Sequence, residues 1–323
     1  MRIPRLIPKV AYLLCALTLG TSAIAAPPAD LTIEQLTSLR RQSSAGLATL
    51  EDRRLAFERL MAAMPVDRQA TFAADEIGGI PGTWARSGGG EATANVVVYL
   101  HGGGFYSGSS STHRNVAAAL SARSNADVFV LDYRLAPRSK YPAQLDDAEQ
   151  VYEAMRARGY PGCAIALASD SAGGLLAADL TVRLKKRSAP LPSSLFLMSP
   201  VFDFSGSSRS MQDKGGTDPI ISAAGVRNSS AAAFGITETA PLAQAWSEDL
   251  TGFPPTLIQV GADEALLDDA LIFAQKEANA GVPIKLATYR GVLHQWQIFP
   301  TNFAPARAAL AEGGRFLQEH FCR

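Results

Sequence analysis

The chain is poor in the residues that mark several common functions. It has only three cysteines and four histidines in 323 residues. It contains no H-E-x-x-H and no cysteine cluster with zinc-ligand spacing, so neither zinc signature is present. No glycine-rich run is followed by Lys-Ser or Lys-Thr, which excludes a P-loop. Charge of either sign is not in excess: 30 basic residues balance 30 acidic ones. Nothing in that balance favours nucleic acid or an anionic surface. Internal repeats and low-complexity tracts are absent.

Long apolar runs are also missing. The one candidate is near the start, where Arg2, Arg5 and Lys9 precede "AYLLCALTLG" and "TSAIAAPPAD". The apolar stretch is short for a bilayer span. The order of basic, apolar and small residues is that of a secretory signal peptide, with an A-x-A site at Ala23-Ile24-Ala25. Residues 1–25 are therefore expected to be a cleaved leader, and the protein to be exported, periplasmic or secreted, with no stable membrane insertion after cleavage. Cys15 follows Leu14 rather than the small residue of a lipoprotein site. Cleavage removes three of the 30 basic residues and none of the 30 acidic ones, for a formal charge of −3. Cys163 and Cys322 then remain, either as a bridge, which an oxidising compartment permits, or as two buried thiols.

What the sequence does have is alternation. Residues 30–64 carry leucines at helical spacing among charges and end at Met64-Pro65. Residues 70–86 read as two short strands around "IGGIPG". Buried-strand runs follow at 95–100, 127–132, 163–168, 194–199, 256–261 and 284–289, with helical patterns at 113–124, 142–158, 172–187, 265–280 and 303–320. Strands alternating with helices predict one α/β domain with a mostly parallel central sheet flanked by helices. The stretch from Phe204 to Gly252 breaks the rhythm and reads as a lid or specificity insertion.

Three motifs carry chemistry. "SDSAGG" (169–174) sits where an apolar strand meets a helix, so Ser171 stands at a strand-turn-helix elbow. The N–H of Ala172 then points from a helix N-terminus toward any oxyanion formed there. Alone, these residues also suit a serine that caps an ordinary helix. "HGGGF" (101–105) follows a buried strand, and its bare backbone N–H groups can converge on one oxygen. His294, in "RGVLHQWQIF", falls in a loop after the last strand. His101 belongs to the glycine run, His113 begins a helix and His320 lies in the terminal helix. An acid is expected between the serine and the histidine in chain order. "VGADEALLDDA" offers Asp263, Glu264, Asp268 and Asp269. The last two fall within the next helix, and between Asp263 and Glu264 the residues alone do not choose.

Taken together these motifs resemble the hormone-sensitive-lipase-like esterases of the α/β-hydrolase superfamily. "DYRLAPRSKYPAQLDDA" (132–148) is similar to that family's D-Y-R-L-A-P segment with its P-A-x-x-D-D, and "HQWQIF" to the H-x-W-Q-x-F of members related to lactone and short-ester hydrolases. The resemblance spans nearly all of the chain after the leader. It implies an α/β-hydrolase fold with a helical cap built from about 30–64 and 204–250. It implies Ser171 as nucleophile, His294 as base and then acid, and Gly103, Gly104 and Ala172 as oxyanion donors, with His101 and Asp170 in support. The family's acid maps onto Glu264, a departure from Asp, with Asp263 as the alternative. Ser169 likewise stands where the family has glycine. Few large apolar residues fill the insertion, Phe204, Phe234 and Trp246 apart, which points to a modest acyl pocket. The expected activity is hydrolysis of short- to medium-chain esters, lactones included, with no metal and no organic cofactor. A deacetylase or amidase with the same triad, or a binding protein on an inactivated scaffold, are the alternatives. The expected partner is a small-molecule ester and not nucleic acid; homo-oligomerisation is left open.

Overall fold

A computed structural model describes residues 30–44, 46–89, 92–235 and 244–322. The expected leader at 1–25 lies outside these residues, as does part of the insertion. Eight strands form one sheet: β1 (Thr71–Ile77), β2 (Ile80–Arg86), β3 (Val96–Leu100), β4 (Asp127–Leu131), β5 (Ile165–Asp170), β6 (Leu195–Met198), β7 (Thr256–Gly261) and β8 (Ile284–Tyr289). Their order is β1-β2-β4-β3-β5-β6-β7-β8. The first two pair antiparallel, β2 meets β4 antiparallel, and the other neighbours are parallel. The hairpin turns at Gly78 and Gly79, both at positive φ (62° and 81°). A two-residue turn of this hand matches the twist of the strands, and glycine adopts it without strain.

Parallel strands are covered on both faces, which is why "VVVYL" is apolar throughout. Val96, Val98 and Leu100 enter one core cluster, and Val97 and Tyr99 the other. On the second face lie α3 (Arg114–Ser124) and α10 (Ala304–His320). The first face is covered by α4 (Ala143–Ala157), α5 (Gly173–Lys186) and α9 (Leu267–Asn279).

The helical reading of 30–64 resolves into α1 (Ile33–Ser44) and α2 (Leu50–Ala62). Thr49 caps the second in a capping box with Asp52, which forces a fresh start there. The strand expected at 163–168 begins two residues late, because Gly162–Ala164 forms one tight helical turn first. The insertion between β6 and β7 carries α6 (Arg209–Lys214), α7 (Ala223–Phe234) and α8 (Gln244–Ser247). Of the two thiol alternatives the structure takes the bridge: Cys163, before β5, is joined to Cys322, after α10, with Cα atoms 5.3 Å apart. Chain entropy alone makes a closed loop of this length worth about 5 kcal/mol, at the top of the range measured for disulfides.

One buried acid lies far from the catalytic motifs. Glu277 of α9 is fully buried and accepts from the Thr256 hydroxyl at 2.8 Å. Burial pushes its carboxyl up to about 8, with the Thr256 bond opposing. The folded state thus holds a proton that the unfolded state releases near pH 4.5. Its contribution to stability is complete at low pH and is lost as pH rises through about 8. Glu277→Gln should therefore match the parent in thermal melts below pH 4.5 and exceed it at pH 8, by about 2–4 °C for each kcal/mol recovered. A constant offset across that range would show that the acid is not buried as a neutral group.

Candidate active site

Ser171 sits between β5 and α5 with φ at +49°. A side chain in this left-handed conformation is strained. The strain is held by close packing on both sides of the turn. A Cβ at Gly173 would strike the Leu100 carbonyl oxygen, and one at Gly174 would strike Pro200. The Ser171 N–H donates to the Met198 carbonyl at 2.9 Å, and its own carbonyl accepts from Gly174 and Val201. Ser169, which replaces the family's first glycine, lies inside β5 rather than in the turn, paired between Leu100 and Leu197. A serine fits there. Its hydroxyl is buried without a partner among the described residues.

The elbow presents Ser171 Oγ to His294 Nε2 at 3.0 Å. His294 Nδ1 lies 2.9 Å from Glu264 Oε2. Both partners of this second contact are 1 % exposed. Glu264 Oε1 accepts from the Ser199 hydroxyl and from the Gly261 N–H, each at 2.7 Å. Asp263 is exposed and makes no bond to the imidazole. Of the two acids that the sequence left open, Glu264 is the one placed against the imidazole. Room for its extra methylene comes from Gly261, where a Cβ would lie 2.9 Å from Glu264 Cγ and 2.8 Å from Oε1. Asp268 and Asp269 lie in α9 and serve elsewhere: Asp268 accepts from Ser210 N, and Asp269 from the backbone of Phe202 and Asp203.

Gly103 and Gly104 lie beside Ser171 on the wall of one cavity. Their φ values are +112° and +60°, and a Cβ on Gly103 would meet the Ser107 backbone. Among the described residues the N–H groups of Gly103, Gly104 and Ala172 donate to nothing. Three donors left open beside one hydroxyl are suited to an oxyanion.

Asp170 and His101 sit behind this front. Asp170 is fully buried and accepts from Gly102 N at 3.0 Å, from the Tyr99 hydroxyl at 2.8 Å and from the Gln295 amide. Burial pushes its carboxyl upward, but His113 at 3.3 Å and these donors outweigh it and bring it down to about 2. His101 is buried against Tyr133, with ring centroids 4.1 Å apart, and its Nδ1 meets the Gly102 carbonyl at 2.8 Å. Burial lowers its imidazole to about 3, so the ring is neutral and shapes the loop. The sequence reading missed Ser199, Gln295, Tyr99 and His113. The glutamine adjoins His294 in the same motif; the other three carry no local signal. Among the described residues no cluster of His, Cys, Asp and Glu is placed to hold a metal ion, and no helix is long and apolar enough to cross a membrane.

Comparison with known proteins agrees with this geometry. Residues 97–298 match the α/β-hydrolase fold family. An esterase of Acinetobacter venetianus is 34% identical over 229 residues, spanning 70% of this chain and 75% of its own. An acetyl-hydrolase of Streptomyces hygroscopicus is 30% identical over 296 residues, spanning 91% and 97%. The crystal structure of an esterase from the bacterial hormone-sensitive lipase family superposes with a TM-score of 0.85 at 32% identity, covering 90% of this chain and 98% of that one. The chain belongs to the α/β-hydrolase fold family. Within it, the protein is a hormone-sensitive-lipase-like esterase, a carboxylic ester hydrolase.

The two acids are separable by substitution. Glu264→Gln keeps the shape but loses the charge facing the imidazole and should lower kcat by about 10³–10⁴. Asp263→Asn should stay within about twofold of the parent, as expected for an exposed residue. Steady-state rates on p-nitrophenyl butyrate measure both, and a larger loss for the Asp263 variant would reverse the assignment.

Proposed function

We propose that the protein hydrolyses short- to medium-chain carboxylic esters, small lactones included, through an acyl-enzyme on Ser171. The observation that carries this reading is the continuous chain from Ser171 Oγ through His294 to Glu264, with a strained serine at its head and open N–H groups beside it. In the proposed reaction His294 Nε2 takes the Ser171 proton as Oγ attacks the ester carbonyl. Glu264 fixes the imidazole through Nδ1 and stabilises its charged form. The N–H groups of Gly103, Gly104 and Ala172 receive the oxyanion. His294 then gives the proton to the departing alcohol, and water repeats the sequence to release the acid.

The cavity supports a small substrate. Its volume is about 170 Å³, below the usual range for drug-sized ligands. Residues of α1, α2 and α7 line it together with Phe204 and the loop at Ile220–Ile221, which is the place expected of a cap. The Streptomyces relative is named for acetyl hydrolysis. The basic-apolar-small order of residues 1–25 and the Cys163–Cys322 bridge support an exported protein.

Treatment of the folded protein with a fluorophosphonate tests the nucleophile. Peptide mass spectrometry should find the adduct on the peptide holding Ser171, with labelling abolished in Ser171→Ala and strongly slowed in His294→Ala. An unlabelled folded protein, or label on another serine, would remove Ser171 from the role.

A further inference from the structure

The cavity in front of Ser171 has an unbalanced charge. Two arginines line it, Arg40 from α1 and Arg53 from α2, and among the described residues no aspartate or glutamate does. Arg40 is 8 % exposed. Its guanidinium lies 5.4 Å from the centre of the Phe57 ring, and among the described residues it forms no ion pair and donates no hydrogen bond. Asp170 and Asp218 reach it only through the longer-range field. Both carboxylates are committed elsewhere: Asp170 to the donors described above, and Asp218 to the N–H groups of Ile220, Ile221 and Ala265 at 2.8–2.9 Å. Burial lowers the guanidinium to about 10, the mark of a cation without an adequate counter-charge, though it remains charged at neutral pH. Arg53 stands beside the Tyr106 hydroxyl on the same wall and likewise pairs with no carboxylate among the described residues.

A buried cation is normally paired. Here the structure supplies two guanidinium groups, and no carboxylate among the described residues lines the space before them. Guanidinium is the group best matched to a carboxylate. We propose that the preferred substrate is an ester that also carries a carboxylate, such as the half-ester of a dicarboxylic acid, and that Arg40 and Arg53 bind that carboxylate while the ester carbonyl faces Ser171. This deepens the esterase reading above and rests on it. The cavity is too small for a large anionic head group in addition to the ester, which favours a carboxylate within a short chain. The chemistry is unchanged: water adds across the acyl–oxygen bond, an alcohol leaves, and a dicarboxylate is formed without any redox step.

The test compares monoethyl adipate with ethyl hexanoate, a neutral ester of equal chain length, by release of ethanol. The parent should have the higher kcat/KM on the half-ester. Arg40→Met and Arg53→Met should each lower the ratio of the two kcat/KM values by about tenfold, chiefly through KM. Arg53 is half-buried, so its variant decides the matter if Arg40→Met does not fold. Calorimetry on Ser171→Ala should show monoethyl adipate binding more tightly than ethyl hexanoate, independently of turnover. Ethyl hexanoate turnover with a ratio favouring the neutral ester, or a ratio unmoved in the folded variants, would overturn the anion site and leave the esterase reading standing. Failure to turn over either ester, with no binding preference in Ser171→Ala, would count against both.

Discussion

The site depends on one buried carboxylate. Asp170 ends β5 one residue before Ser171 and is wholly removed from water. An ion in that position costs several kcal/mol unless its oxygens are fully used. Here they accept from groups in two distant parts of the chain, Tyr99 and Gly102 around the end of β3 and Gln295 beside His294, while the His113 imidazole before α3 lies 3.3 Å away. The elbow, the glycine loop and the histidine loop are thereby held against one another. The carboxyl stays ionised because these donors outweigh its desolvation.

This tie explains why the crowding around the elbow is tolerated. Gly102 has no room for a side chain, since a Cβ there would press on Asp170 and on the Gln295 amide. Gly173 has none because β3 passes directly over it. The crowded turn also holds Ser171 at a positive φ. Glu264 is secured by the same economy of space. Gly261 supplies the gap for its longer side chain, and Ser199 fixes the oxygen that does not face His294.

Much of this was legible in the sequence. The alternating strands and helices specify the sheet because buried parallel strands must be apolar on both faces, and "VVVYL" is. "HGGGF" and "SDSAGG" carry their own backbone requirements, so the glycine loop and the elbow can each be located without a structure. The carboxylate that faces His294 was only half legible. Asp263 and Glu264 are adjacent and both can ionise, and the difference between them is the direction in which the loop turns each side chain. Ser199 and His113 were not legible, because their importance lies in contacts made across 65 and 57 residues of chain. The charge of the cavity was hidden for the same reason. Arg40 reads as one more basic residue on an amphipathic helix until folding closes Phe57 and the glycine loop around it.

The central proposal is covalent: that the ester passes through an acyl group on Ser171. The most direct measurement mixes the protein with p-nitrophenyl acetate, quenches with acid before the first turnover is complete, and maps acetylation by peptide mass spectrometry. The account predicts an acetyl group on Ser171, formed together with a burst of nitrophenol and lost on further incubation at neutral pH. Sustained release of nitrophenol with Ser171 unmodified at every quench time would contradict it.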